Sequence, residues 1–289
     1  MASEQIGAQS RRGRPGVLGW IAHALLLVPE AALITALLCA YWGLGELAQI
    51  GLAIMLVIIS FIARLIALVA ARAALELEQP EIGAMLIQLA LVLNPWSPDA
   101  LALRGVIALS NDQPARAEAS LRRSIALLPD RANVHAALSA ALLDLGRPEA
   151  AASAARAALA LESGCAIAHF YLAEAERVCG APAQDIEDQL RSGLDCAGAP
   201  ESEAALRCAL GAHLLAEHRI AEATLTLHGA EALVPRCAAP RQIALRVRLG
   251  ELMIAQGQVE RAREQFRNVA TLDPHGRYAG AAWRASHLL

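Results

Sequence analysis

The chain has 289 residues, of which 56% are hydrophobic and only 3% aromatic, and its formal net charge at pH 7 is −3. All 25 basic residues are arginine, and the absence of lysine excludes a Walker-type phosphate loop and Schiff-base catalysis and argues against a nucleic-acid partner. No HExxH or G-x-S-x-G motif occurs, so we predict no catalytic, cofactor-binding or metal site and a protein that is not an enzyme. The abundance of Ala and Leu indicates an all-α fold.

Two long apolar runs occupy the N-terminal third, one at 17–44 and one at 50–71. Each exceeds the roughly 20 residues that a helix needs to cross a bilayer. We therefore predict a tail at 1–16 and a two-helix transmembrane hairpin at 17–77, with its second helix continuing to residue 77. Arginines lie at the outer ends of the hairpin and not in its connecting loop, which predicts a bacterial inner-membrane protein with both termini and the following domain in the cytoplasm.

Two charged residues, Glu30 and Arg64, lie within the predicted spans. If the hairpin turns near residue 47, each is 17 residues from the turn and both reach a similar depth. A charge in the bilayer core costs at least about 2.5 kcal/mol, so we expect an intramembrane pair, formed by these two residues or with another membrane protein. The alternative is that Arg64 extends to the headgroups while Glu30 is protonated or lies near the interface.

Beyond residue 78 the sequence repeats with a period of 34 residues: Pro95, Pro129 and Ser163 follow one another at this interval, and Pro235 and Pro274 close two further units. Small residues recur where paired helices must approach closely, namely Gly105, Ala117, Ala151, Ala158, Gly211, Ala223, Ala230, Gly250 and Ala262. This pattern resembles the tetratricopeptide-repeat family, which implies an α-solenoid of stacked helix A and helix B pairs. We expect about five repeats over 78–289, with a leading helix and a C-terminal capping helix.

The leading helix overlaps the second predicted span. Gly83, Ile87 and Ala90 match the second helix of a repeat whose helix A would begin at Arg64. We therefore expect the second span to run unbroken into the cytosol as helix A of a half-submerged first repeat. A flexible joint at 78–80 followed by a lone capping helix is the alternative.

In this architecture the A helices line the concave face. The residues at their inward positions are mostly apolar, and Ala102 and Val106 occupy positions where a carboxylate-binding member of the family would have polar side chains. An apolar groove of this kind favours an amphipathic helix or an apolar segment of a partner protein, although a groove partly closed by its own chain is the alternative. The candidate groove residues are Leu109, Leu143, Phe170, Glu174, Arg177, Leu215, Val247, Glu251 and Ile254.

Two spans followed directly by repeats resemble the PelE family of membrane-embedded tetratricopeptide subunits in Pel-type exopolysaccharide secretion systems. The resemblance implies a membrane-anchored scaffold whose partners would be a cyclic-di-GMP receptor, a glycosyltransferase and a polytopic transporter. Two alternatives stay open. One is a HemY-like membrane protein of haem or envelope metabolism, and the other is a regulatory subunit that gates a transporter through Glu30 and Arg64.

Overall fold

A computed structural model describes residues 47–76, 79–274 and 278–280, and the regular structure within these ranges is helical. Its twelve α-helices are α1 (Leu47–Glu76), α2 (Pro80–Leu93), α3 (Pro98–Ser110), α4 (Pro114–Leu127), α5 (Ala132–Asp144), α6 (Pro148–Leu161), α7 (Ala166–Val178), α8 (Ala183–Asp195), α9 (Pro200–Ala216), α10 (Ile220–Leu233), α11 (Ala239–Ala255) and α12 (Val259–Leu272). A 3₁₀ turn, Val234–Arg236, follows α10.

The helices pack as six consecutive pairs, from α1–α2 to α11–α12, and each pair contacts the next along the chain. In repeat nomenclature the odd-numbered helices are A helices and the even-numbered ones are B helices. The last five pairs correspond to the five predicted repeats. The prediction of an all-α tetratricopeptide solenoid is therefore confirmed for the described residues.

The turn between helix A and helix B has the same backbone feature in all five repeats. One residue there adopts a left-handed conformation with φ between 57° and 75°: Asp112, Gly146, Gly180, His218 and Gly257. Glycine adopts this conformation at no steric cost, whereas an L side chain such as that of His218 costs roughly 1–2 kcal/mol. In two repeats a proline then begins helix B, where its fixed φ suits a helix start and its missing N–H costs nothing.

Glycine at one position of helix A lets the two helices of a repeat touch. A Cβ atom placed on Gly105, Gly211 or Gly250 would lie only 2.5, 2.5 or 2.7 Å from the side chain sixteen residues later. Those side chains are Leu121, Leu227 and Phe266. Large residues on helix B therefore fill the space that the glycines leave, which is the close packing that the spacing predicted.

Small residues complete the same interface from helix B. Ala117, Ala151, Ala223 and Ala262 are fully buried. In one of the two repeats without a glycine, the buried Ser139 occupies the glycine position, and its hydroxyl donates to the carbonyl of Ala151 at 2.8 Å. The hydroxyl of this buried serine is thus hydrogen-bonded, as burial requires.

Arginine–glutamate pairs connect the B helices of neighbouring repeats. The pairs are Glu118 with Arg147 at 3.1 Å, Glu187 with Arg219 at 2.6 Å, and Glu231 with Arg261. Glu187 is buried and also accepts from Arg191 at 2.6 Å. Burial raises the pKa of Glu187, but the hydrogen bonds from Arg191 and Arg219 outweigh this effect and hold the pKa below its ordinary value.

The first helix pair exposes two rows of large apolar side chains. The rows are Ile58, Ile62, Leu65 and Val69 on α1, and Ile82, Met85, Leu89 and Val92 on α2, and each of these residues is between 46% and 68% exposed. Within each row the residues are three or four apart, so they share one face of their helix. Contiguous apolar surface of this kind marks a place where a protein associates with something else.

The predicted inner-membrane location is corrected by this structure. Among the residues that it describes, no helix combines the length and the hydropathy needed to cross a membrane. In α1, Arg64 and Arg72 lie within the apolar sequence. Ala67 and Ala71 count as apolar in a hydropathy scale, yet they are buried against Ile87 and Ala90 of α2 as repeat packing residues. Apolar composition here reflects, in part, contact between helices.

The other predictions for this region concern residues that the structure leaves out. Residues 17–44, and Glu30 with them, lie outside the described ranges. The guanidinium carbon of Arg64 lies 5.0 Å from the centroid of the Phe61 ring, within reach of a cation–π interaction. The pairing of Glu30 with Arg64 is untested, and its intramembrane setting is withdrawn together with the predicted location.

Candidate functional site

A cavity of about 810 Å³ lies between the A helices of the five repeats. Its lining comes entirely from α3, α5, α7, α9 and α11: Val106, Leu109, Ser110, Asn133, Ala136, Ala137, Ala140, Leu143, Asp144, Ile167, Phe170, Tyr171, Glu174, Arg177, Val178, Ala205, Cys208, Ala209, Arg241, Leu245 and Arg248. Small alanines in the centre of α5 keep the groove deep, and branched or aromatic side chains from α3, α7 and α11 make most of it apolar.

Five of the predicted groove residues lie together in this cavity: Leu109, Leu143, Phe170, Glu174 and Arg177. Phe170 is half-buried, and its ring meets that of Tyr171 edge-on, with centroids 5.1 Å apart. Glu174 and Arg177 form an ion pair one helical turn apart, with Nη2 of Arg177 donating to Oε2 of Glu174 at 2.7 Å. Their role in binding a partner stays a prediction.

The other four predicted residues lie outside the lining. Leu215 packs against the cores on both sides of α9, and Val247 packs against the core of the last pair. Glu251 and Ile254 are exposed on α11. At the C-terminal end of the groove, only the first part of α11 therefore lines the cavity. The predicted positions further along that helix do not contribute to the lining.

The lining residues that the sequence analysis did not identify include Tyr171, Arg241, Leu245 and Arg248. Tyr171 and Arg248 directly follow Phe170 and Val247, which were predicted to face the groove. Arg241 lies before the start of the repeat unit, because α11 begins earlier than the shorter A helices and has 17 residues instead of 13. The available signal was the spacing of Arg241, Leu245 and Arg248, which places all three on one face of α11.

Tyr171 brings a polar group into the apolar part of the groove. Its hydroxyl has no hydrogen-bond partner among the described residues, although its ring is well packed beside Phe170. Burial raises the pKa of Tyr171, while the positive charge of Arg241 opposes the shift and the negative charge of Asp144 adds to it. The hydroxyl is therefore protonated at neutral pH and available as a donor.

The arginines of α11 are the least neutralised charges of the groove. Arg241 is exposed and makes no ion pair or hydrogen bond with any described residue. Nη1 of Arg248 lies 3.6 Å from Oε2 of Glu251. Both side chains are about half exposed, so this ion pair is weak. The α11 wall of the groove thus presents positive charge to the cavity.

Cys208 on α9 lines the cavity between α7 and α11. The residue is buried, and burial raises the pKa of its thiol to about 12, with a small opposing effect from Arg248. At neutral pH the group is a thiol and not a thiolate, so it acts as a small apolar lining residue.

Comparison with known proteins adds information on the fold. No family profile matches this sequence, and no curated protein is significantly similar to it. Among solved structures, the chain is similar to the type IV pilus biogenesis factor PilW, with a TM-score of 0.54 and 17% identity over 76% of this chain and 98% of PilW. It is also similar to PilF of Pseudomonas aeruginosa, with a TM-score of 0.52 and 18% identity over 77% of this chain and 97% of PilF.

A third similar structure is that of the APC/C hetero-tetramer Cut9–Hcn1, with a TM-score of 0.61 and 12% identity over 77% of this chain and 42% of the matched chain. At these identities the similarity concerns the fold alone. It agrees with the helix pairing and the turns described above in assigning a tetratricopeptide-type solenoid.

Proposed function

We propose that this protein, a solenoid of tetratricopeptide fold, is a scaffold that binds a segment of a partner protein in the groove formed by its A helices. The observation that carries the proposal is the cavity of about 810 Å³, which is lined only by A helices and is mostly apolar. Solenoids use such extended concave surfaces for recognition, and an apolar groove of this shape fits an amphipathic helix.

The packing of each repeat supports a rigid binding surface. In three repeats helix A is held against helix B by the glycine contacts of the core, and arginine–glutamate pairs join successive repeats at three places. Leu143 and Phe170 project from α5 and α7, each of which packs against the helices next to it in the chain. A preformed groove loses less entropy when it binds a partner than a flexible one does.

A substitution in the groove with a matched substitution elsewhere tests this function. Phe170→Glu places a charge in the groove, whereas Leu225→Glu places the same charge on α10, where Leu225 is 75% exposed and outside the lining. Partner proteins crosslinked to the wild-type chain in its own cells should be lost with Phe170→Glu and kept with Leu225→Glu. Circular dichroism establishes that both variants are folded. Equal recovery of the same partner with both variants would refute the proposal.

A more specific proposal is that these partners belong to an exopolysaccharide synthesis and secretion machine of the Pel type, and that they include a cyclic-di-GMP receptor, a glycosyltransferase and a polytopic transporter. Its support is the resemblance of the sequence to the PelE family, in which two apolar N-terminal segments precede the repeats; the apolar α1 is the part of that region that the structure describes. Mass spectrometry of the partners lost with Phe170→Glu tests this step separately. Enzymes of haem synthesis among them, without polysaccharide enzymes, would remove it.

A further inference from the structure

The charges of the groove are unevenly distributed between its two sides. Five charged residues line it: Asp144 on α5, Glu174 and Arg177 on α7, and Arg241 and Arg248 on α11. Three positive and two negative side chains leave a net charge of +1. Arg177 is already paired with Glu174 at 2.7 Å, so the excess positive charge is on α11. A negatively charged group on a ligand would therefore be attracted to the α11 side.

Two hydrogen-bond donors face the cavity near this excess charge. Arg241 has no ion-pair partner among the described residues, and the hydroxyl of Tyr171 has no hydrogen bond there. Both groups line the same cavity, as does Asp144 on α5. A ligand that filled the groove with apolar atoms alone would remove water from both donors and leave them unpaired, which opposes binding.

From these observations we infer that the partner segment is an amphipathic helix that carries an Asp or Glu side chain beside its apolar face, with the carboxylate held by Arg241 and Tyr171. This inference rests on the proposed function, because it names the kind of partner that the same groove accepts. A carboxylate accepts hydrogen bonds from a guanidinium and a phenol at once, and a charge-assisted bond is stronger than a neutral one. The apolar face of the helix then covers Phe170, Leu143 and Leu245.

Three designed peptides of 18 residues test the inference. They share a leucine face with spacings of three and four residues, and they differ at one bordering position, which is Glu, Gln or Lys. All three are acetylated and amidated, so that the Glu side chain is the only carboxylate. Fluorescence anisotropy with the full-length protein should give about tenfold tighter binding of the Glu peptide than of the Gln peptide, and the weakest binding for the Lys peptide. The preference should decrease at high salt, because the contact is electrostatic.

Protein variants locate the contact. Arg241→Gln and Tyr171→Phe should each reduce the preference for Glu over Gln several-fold while the Gln peptide binds with little change. Arg267→Gln is the matched control, because Arg267 is an exposed arginine on α12 that does not line the cavity. It should keep the full preference. A preference that persists in Arg241→Gln and Tyr171→Phe, or one that favours Lys, would overturn the inference.

The outcomes separate this inference from the function on which it rests. If the Glu and Gln peptides bind equally and both are lost with Phe170→Glu, the groove binds helices but the assigned carboxylate contact is wrong. If none of the peptides binds while the cellular partner is still lost with Phe170→Glu, the inference fails and the function stands; if that partner is also kept with Phe170→Glu, both fail. If sedimentation shows a dimer that Phe170→Glu dissociates, the occupant is a second copy of the chain and the inference is likewise overturned.

Discussion

Gly211 gives a direct test of how the repeats are packed. In a Gly211→Ala variant the new methyl carbon would lie 2.5 Å from Cδ2 and 2.6 Å from Cγ of Leu227. Carbon atoms pack at about 3.5–4.0 Å, so the overlap is about 1 Å and Leu227, which is 2% exposed, has to move within a closed core. Overpacking of this kind costs about 1–3 kcal/mol, whereas replacing Gly with Ala inside a helix gains up to about 1 kcal/mol. We expect a net loss of about 1–2 kcal/mol.

Gly229 is the matched control. It lies within the neighbouring helix α10, and a Cβ atom there would meet only the end of the Arg207 guanidinium, at 2.7 Å. Because that group ends a flexible side chain and can move aside, Gly229→Ala should gain about 0.5–1 kcal/mol from helix propensity. The two chemically identical substitutions should therefore change stability in opposite directions.

Urea unfolding followed by circular dichroism measures both variants, and hydrogen exchange of α9 and α10 reports local opening where a repeat protein departs from two-state behaviour. The combination with Leu227→Ala adds a double-mutant cycle. Leu227→Ala makes room for the methyl group, so Gly211→Ala should cost at least about 1 kcal/mol less in that background. Additive effects, or a Gly211→Ala variant as stable as the wild type, would refute the packing described for this repeat.

Three further predictions concern charge, thiol reactivity and the exposed apolar surface. Glu187→Gln should lower the free energy of unfolding by about 1–2 kcal/mol at pH 7. The folded-state pKa of Glu187 is depressed, so its contribution to stability is present above the unfolded pKa of about 4.3 and is lost as the pH falls through the folded pKa. The difference in free energy of unfolding between wild type and Glu187→Gln should therefore decrease in acid. A difference that increased would contradict the ion-pair network. A thiol reagent such as DTNB should label the exposed Cys179 quickly and the buried Cys208 only on unfolding, and rapid native labelling of Cys208 would show that its burial is wrong. The exposed apolar rows of α1 and α2 predict that the purified protein self-associates, and the double variant Leu89→Gln and Val92→Gln should reduce this association in sedimentation velocity, with a change in stability within about 0.5 kcal/mol. A wild-type protein that does not associate, or an association that the variant leaves unchanged, would contradict this prediction.

The repeat architecture could be predicted because each repeat depends on a few residues with local geometric roles. Pro129 and its equivalents end helix B, and Gly105, Gly211 and Gly250 allow helix contact, so their spacing along the sequence reports the fold directly. The inward faces of the A helices follow from the same periodicity, and Phe170 and Leu143, which it assigns to those faces, line one cavity.

The extent of the groove and its charge could not be predicted in the same way. Arg241 reaches the cavity because α11 begins before the repeat unit does, and helix length is set by contacts that no single repeat contains. The partner of an arginine is also a long-range property: Arg219 binds Glu187 in the preceding repeat, 32 residues away, as well as its neighbour Glu222.

The predicted location failed for a related reason. Hydropathy counts Ala67 and Ala71 as apolar wherever they lie, but in this fold the two residues pack against α2. A sequence rich in alanine therefore overstates the surface that is available to lipid, because small residues at helix contacts and apolar residues at a bilayer contribute to hydropathy in the same way.

Site-specific photo-crosslinking tests the central claim most directly, since it asks which face of the solenoid touches a partner. A photoreactive phenylalanine analogue is placed at Val106, which is 39% exposed and lines the cavity, and in a second variant at Leu225 on helix α10. We predict that irradiation of living cells links a partner protein to the Val106 variant and not to the Leu225 variant. A partner linked through Leu225 alone would contradict the assignment of the A-helix groove as the binding surface.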